Sequence, residues 1–227
     1  MKAFTLIELL ISLFLSAIVI LGTFKLYESV QQTNQLMNGL IAIQETAQFA
    51  LSTLSEVVRK AGDNSCANLA NKIDSVHAIE GYPANNLPNW LQEEGVRTNT
   101  DVLVVGECAS YQGKMQFIKT AYFVAGNDSL YSKVQGSERT ELTAGVANLQ
   151  IRYGIADLTN QNVSDYLPAA AVTNWQTVKA VQLKLLIHSE IPVLQAPHRY
   201  WFNGDTYESS DRQLHKEWDT YIALRER

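Results

Sequence analysis

The sequence predicts an α+β protein in which one long N-terminal helix packs on an antiparallel β-sheet head. Three observations carry that prediction. Residues 4–24 are apolar apart from one charge, Glu8. Apolar residues then recur at steps of three and four as far as Ala61. From Thr100 onward the pattern changes to short runs, some of them alternating, bounded by turn residues, which is how strands read.

The helix is expected to start at Phe4. Residues 9–24 hold no charge and no proline. At 1.5 Å per residue, the roughly 21 residues from Phe4 to Phe24 reach about 30 Å, the thickness of a bilayer core. Residues 4–24 are therefore expected to be a transmembrane segment. The chain turns polar at Lys25 without a helix breaker, and no proline precedes Pro83. Leu36, Leu40, Ile43, Ala47, Ala50, Leu54, Val57 and Ala61 then make one apolar stripe. Gly62 after Arg59-Lys60-Ala61 is a C-terminal stop with basic residues in the last turn. Residues 25–62 are thus the amphipathic half, and the whole helix would be roughly 85 Å long. Gly22 and Gly39 are its expected weak points, each costing about 1 kcal/mol against alanine.

Residues 63–227 are expected to form the head. The stretch 63–100 is rich in turn residues, and Trp90 is read as cover for the core edge. Strands are expected at 101–106, 116–125, 129–134, 146–155, 178–188 and 218–225, the last closing the sheet. Gly126-Asn127-Asp128 is the turn of a hairpin. In 178–188, Val181, Leu183, Leu185 and Ile187 fall on one face, with Gln182, Lys184 and His188 on the other. Pro168, Pro192 and Pro197 interrupt two less regular stretches. The aromatic cluster 198–202 is read first as core filling and second as a partner contact.

About 165 residues remain beyond the helix, enough for one core. A net charge of −5 argues against a general nucleic-acid binder. No HExxH, GxSxG, phosphate loop or CxxC occurs, so neither a catalytic residue nor a cofactor is expected. His77, His188, His198 and His215 are far apart in sequence, and Asp63, Asp101 and Asp157 make no calcium loop, so no metal site is expected. The two cysteines are Cys66 and Cys108. A head outside the cytoplasm predicts a disulfide, whereas a reducing setting would leave two buried thiols. Closing that loop of about 43 residues would stabilise the head by roughly 4 kcal/mol.

Glu8 is the residue that composition leaves unexplained. A carboxylate near the start of a spanning helix costs on the order of 2–3 kcal/mol unless it lies at the interface or has a partner. A plain anchor gives it no role. A Sec signal peptide would need a small-x-small cleavage site, and none follows Phe24. Ala3-Phe4-Thr5-Leu6-Ile7-Glu8-Leu9-Leu10 resembles the class III signal of type IV pilins and pseudopilins. That resemblance implies a leader at 1–3, cleavage between Ala3 and Phe4 by a prepilin peptidase, and N-methylation of Phe4. It also implies an assembly role for Glu8, the fifth residue of the mature chain. Glycine is usual before the cut, and Ala3 is small enough to permit slower cutting.

A second resemblance lies in the head. The helix end from Ile43 through Phe49-Ala50-Leu51 to Arg59-Lys60-Ala61-Gly62, followed by Cys66, is similar to PilW-type minor pilins. So, in order, are Thr100-Asp101-Val102-Leu103, Ser129-Leu130-Tyr131, the stretch 142–153 with Gly154, and Ala223-Leu224-Arg225-Glu226-Arg227. This resemblance implies a type IV pilin-like fold and a non-catalytic subunit that helps prime and cap pilus assembly. The implied partners are other minor pilins, the major pilin, the prepilin peptidase and the inner-membrane assembly platform. The implied location is the inner membrane with a periplasmic head, then the pilus tip. A J-type minor pseudopilin of type II secretion shares the first motif and the general plan. A tip adhesin or DNA-uptake module is a further alternative.

Overall fold

The computed structural model describes residues 6–61, 78–111, 113–156 and 162–224. The single α-helix among the described residues, α1, spans Leu6–Lys60, 55 residues without interruption. Among the described residues eleven strands follow in order: β1 Ile79–Pro83, β2 Asp101–Tyr111, β3 Lys114–Val124, β4 Ser129–Val134, β5 Arg139–Ala144, β6 Val146–Ala156, β7 Val163–Pro168, β8 Val178–His188, β9 His198–Phe202, β10 Asp205–Ser209 and β11 His215–Ala223. The α+β class and the long helix stand as expected.

The head divides into two antiparallel sheets and a hairpin. The first sheet has the order β1-β2-β3-β4-β5, and the second β11-β8-β6-β7; β9 and β10 pair only with each other. The last strand therefore does not close one common sheet. It is an edge of the second sheet, with Trp218 opposite Leu185 and Ile222 opposite Val181. The chain crosses between sheets at Gly145, where φ is +79°. Only glycine takes that left-handed geometry without strain. The crossing is held by the Val146 N–H donating to the Asp128 carbonyl and the His188 N–H donating to the Gly145 carbonyl, each at 2.9 Å. Strands β1, β5, β7, β9 and β10 were not expected from the sequence. Each is five or six residues long, and β5 and β10 are mostly solvent-facing, so neither carries an apolar face to read.

The main core lies between the two sheets and the second half of α1. Ile43, Ala47, Ala50, Leu54 and Val58 of α1 meet Leu103, Val105 and Val124 of the first sheet. They also meet Leu149, Ile151, Val181, Leu183, Leu185 and Ile187 of the second. The four β8 residues share one face, as their spacing predicts. The opposite face of the first sheet is covered by Leu91 and the partly buried Trp90, from a single helical turn at Asn89–Leu91. The opposite face of the second sheet is covered by Phe202 of β9 over Ala147 and Leu186.

The stripe on α1 differs from the expected one at its ends. Leu40 is exposed and Val57 only partly buried, whereas Gly39 and Val58 are buried. The cause at Gly39 is a close approach that apolarity cannot signal. A Cβ at Gly39 would lie 2.9 Å from Val193 Cγ1. Val193 is held there because the N–H groups of Val193 and Leu194 both donate to the Arg212 carbonyl at 3.0 Å. Gly39 is thus a contact and not a weak point. At Gly22 nothing lies within 4 Å.

Leucine and alanine have nearly equal helix propensity. Gly39→Leu should nevertheless be less stable than Gly39→Ala by about 1–3 kcal/mol, because the larger side chain must displace Val193. Gly22→Leu and Gly22→Ala should be equal. Urea unfolding of the full chain in micelles, followed by near-UV circular dichroism, reads both comparisons.

Candidate functional site

Two regions carry the chemistry: the bare half of α1 and a polar cleft in the head. In α1 the large apolar side chains from Leu6 to Leu26 are half or more exposed; Leu6 reaches 78% and Leu26 69%. An 18-residue window of this helix has mean hydropathy 2.4, and none of it is buried. It is the one described helix long and apolar enough to cross a membrane. An apolar surface this continuous requires lipid or other helices around it. Its hydroxyls are already provided for. Ser12 donates to the Leu9 carbonyl, Ser16 to Leu13 and Thr23 to Ile20, each at 2.9 Å. Such bonds leave no hydroxyl seeking water inside hydrocarbon. Lys25 and Glu28, paired at 2.9 Å, mark where the polar face begins. Glu8 sits in the first turn and is exposed. Ala3 and Phe4, the residues of the expected cut, lie outside the described residues.

In the head the structure brings together groups that are remote in sequence. His215 lies between His188 and His198, with ring centroids 5.5 and 5.6 Å away. The fourth histidine, His77, lies outside the described residues. These three, far apart in sequence, are thus close together in space. They come from β8, β9 and β11, and only the β8–β11 register aligns His188 with His215. Among the described residues no group of His, Cys, Asp or Glu is arranged to hold a metal. Tyr200 stacks on His215 at 4.4 Å and 10°, and on Tyr207 at 5.6 Å and 17°. Asp211 Oδ2 is 3.6 Å from His215 Nε2, and Asp128 Oδ2 is 3.3 Å from His188 Nε2. Burial pushes the His215 pKa below its ordinary value, outweighing the attraction of Asp211.

Beside this stack a cleft of about 730 Å³ opens between the two sheets and the β9–β10 hairpin. Asp101 lines it. Its Oδ2 accepts the Ile151 N–H at 2.8 Å, and burial raises its pKa. Asp63 and Asp157 lie outside the described residues. So does Cys66, while Cys108 stands in β2 opposite Phe117. Sequence reading missed the cleft because its walls come from at least six separated segments.

A membrane-anchored helix continuous with a β-sheet head defines a pilin-like subunit. The comparisons with known proteins name the family. Residues 112–226 match the model of the Type IV Pilus-assembly protein W family, and residues 1–24 match the prokaryotic N-terminal methylation motif. The chain belongs to the PilW family, whose members are structural components of pilus assembly and not enzymes. No curated protein matches. A type IV-like pilin from Thermus thermophilus aligns over 82% of this chain and 95% of its own, with 12% identity and a TM-score of 0.47.

The lowered pKa of His215 sets a pH dependence. A histidine depressed on folding contributes stability above its unfolded pKa of about 6.5 and loses it as pH falls through the folded value. Melting temperature should therefore drop as pH is lowered from 7.5 to 5, and His215→Gln should flatten that drop. Thermal melts of both proteins across this range give the comparison.

Proposed function

We propose that the chain is a minor pilin that helps prime and cap a type IV pilus. The observation that carries this reading is the unbroken α1: a helix half bare and apolar, merging without a linker into a half that is locked into the head. A tethered binding domain or enzyme has no need of that continuity. A fibre subunit does, because the bare half can serve first as membrane anchor and then as fibre core.

In this reading residues 1–3 are the leader, 4–24 the membrane and assembly segment, 25–62 the amphipathic half and 63–227 the head. The precursor rests in the inner membrane with its head in the periplasm, where Cys66 and Cys108 form a disulfide. Prepilin peptidase cuts between Ala3 and Phe4, and the new amino group of Phe4 is methylated. Glu8 then pairs with the cationic amino terminus of a neighbouring pilin. In hydrocarbon such a pair relieves two desolvated charges together and penalises slipped registers. Partners of the mature chain are other minor pilins, the major pilin and the assembly platform. The processed subunit moves to the pilus tip.

Glu8→Ala should leave the protein inserted in the membrane yet lower the yield of sheared pili at least severalfold; wild-type piliation would refute the pairing. Ala3→Arg should block maturation, seen as a slower band on a gel and as the absence of a methylated Phe4 terminus in mass spectrometry.

A further inference from the structure

We infer that the head cleft is a binding site for an uncharged saccharide, with Tyr207 as its stacking platform. This inference does not depend on the priming role proposed above. The cleft's volume of about 730 Å³ falls within the range of small-ligand pockets. Its rim is built largely of amide and hydroxyl groups, which supply donors and acceptors together, as vicinal hydroxyls require.

The walls are pre-organised. Asn148 Nδ2 and Gln150 Nε2 both donate to the Asn99 carbonyl, at 3.2 and 2.7 Å, so the loop before β2 is tied to the outer face of β6. Asn99 itself is held at φ +61°. The side-chain amides of Asn85 and Asn99 line the cleft and make no hydrogen bond among the described residues, so their capacity is unspent. Amides that line a cleft and are not consumed by the fold remain available to a ligand.

The aromatic part is equally ordered. Tyr207 and Tyr200 are directly opposed on β10 and β9. Tyr200 is stacked with His215 as well, which leaves Tyr207 as the last ring of the column, 42% exposed at the cleft. A tyrosine fixed by stacking offers a rigid apolar face with a polar tip. The apolar face of a sugar ring fits such a platform.

Charge selects among polar ligands. The lining holds three carboxylates, Asp101, Asp128 and Asp211, against one guanidinium, Arg97, which is itself ion-paired to Asp128. A phosphodiester chain or a polyuronate would meet net repulsion here. A neutral oligosaccharide would not, and Asp101 keeps Oδ1 as an acceptor for its hydroxyls, since the Ile151 N–H takes only Oδ2.

The test uses the full chain in phosphocholine micelles, which carry no sugar headgroup. Chitotriose, cellotriose and maltotriose are titrated by calorimetry, beside a triuronate and a single-stranded oligonucleotide. At least one neutral trisaccharide should bind with a millimolar or tighter dissociation constant. Tyr207→Ala should weaken it roughly tenfold, and Tyr207→Phe should stay within about twofold of the unmodified chain. Tyr207 lies on an exposed edge strand; if its alanine variant melts early, Asn85→Ala replaces it and should also weaken binding. Failure of all three neutral sugars overturns the inference. So does binding of only the anionic probes, or unchanged affinity in a folded Tyr207→Ala or Asn85→Ala protein.

Discussion

The packing of Ile43, Ala47, Ala50, Leu54 and Val58 against both sheets at once is the contact on which the head depends. The stripe covers part of the inner face of both sheets, which also touch each other directly, as where Asp101 of β2 accepts the Ile151 N–H of β6 at 2.8 Å. The small residues matter as much as the large ones. Ala47 and Ala50 let the helix axis approach the sheets, while Ile43 and Leu54 fill the space on either side. A similar economy operates at Gly81 of β1, where an added Cβ would collide with the hydroxyl of Tyr153 in β6. That hydroxyl is buried and finds no hydrogen-bond partner among the described residues. Its cost, on the order of 1–3 kcal/mol, is set against the burial of a whole tyrosine ring and its edge contact with Trp175 at 4.8 Å.

The other half of α1 obeys the opposite rule. Its side chains gain nothing from the head, and their exposure is tolerable only in lipid or among like helices. One helix therefore passes through two solvents, and the change falls near Lys25 and Glu28. The PilW assignment and the N-terminal methylation motif agree with this division, since they match opposite ends of the chain.

Much of this was legible in the residues. The helix was readable because its apolar periodicity is long and no proline interrupts it. Strands β2, β3, β4, β6, β8 and β11 were readable: β2 is an apolar run bounded by turn residues, β3 alternates, β4 is its hairpin partner across Gly126-Asn127-Asp128, and β8 sets its apolar residues on one face. The split into two sheets was not, since register at Gly145 depends on contacts with Asp128 and His188 that no local pattern encodes. Gly39 was misread for a related reason: a residue without a side chain cannot advertise what packs on it. The histidine cluster and the cleft were invisible because strand pairing, and not sequence spacing, assembles them.

The geometry of the helix–head contact also bears on mechanics. The buried stripe runs along the axis of α1, so a pull on the exposed end of the helix is parallel to the contact plane. Every layer from Gly39 to Val58 then carries load simultaneously, as in a lap joint, and cannot be peeled away one at a time. Withdrawal would require all of those side chains to leave their seats together.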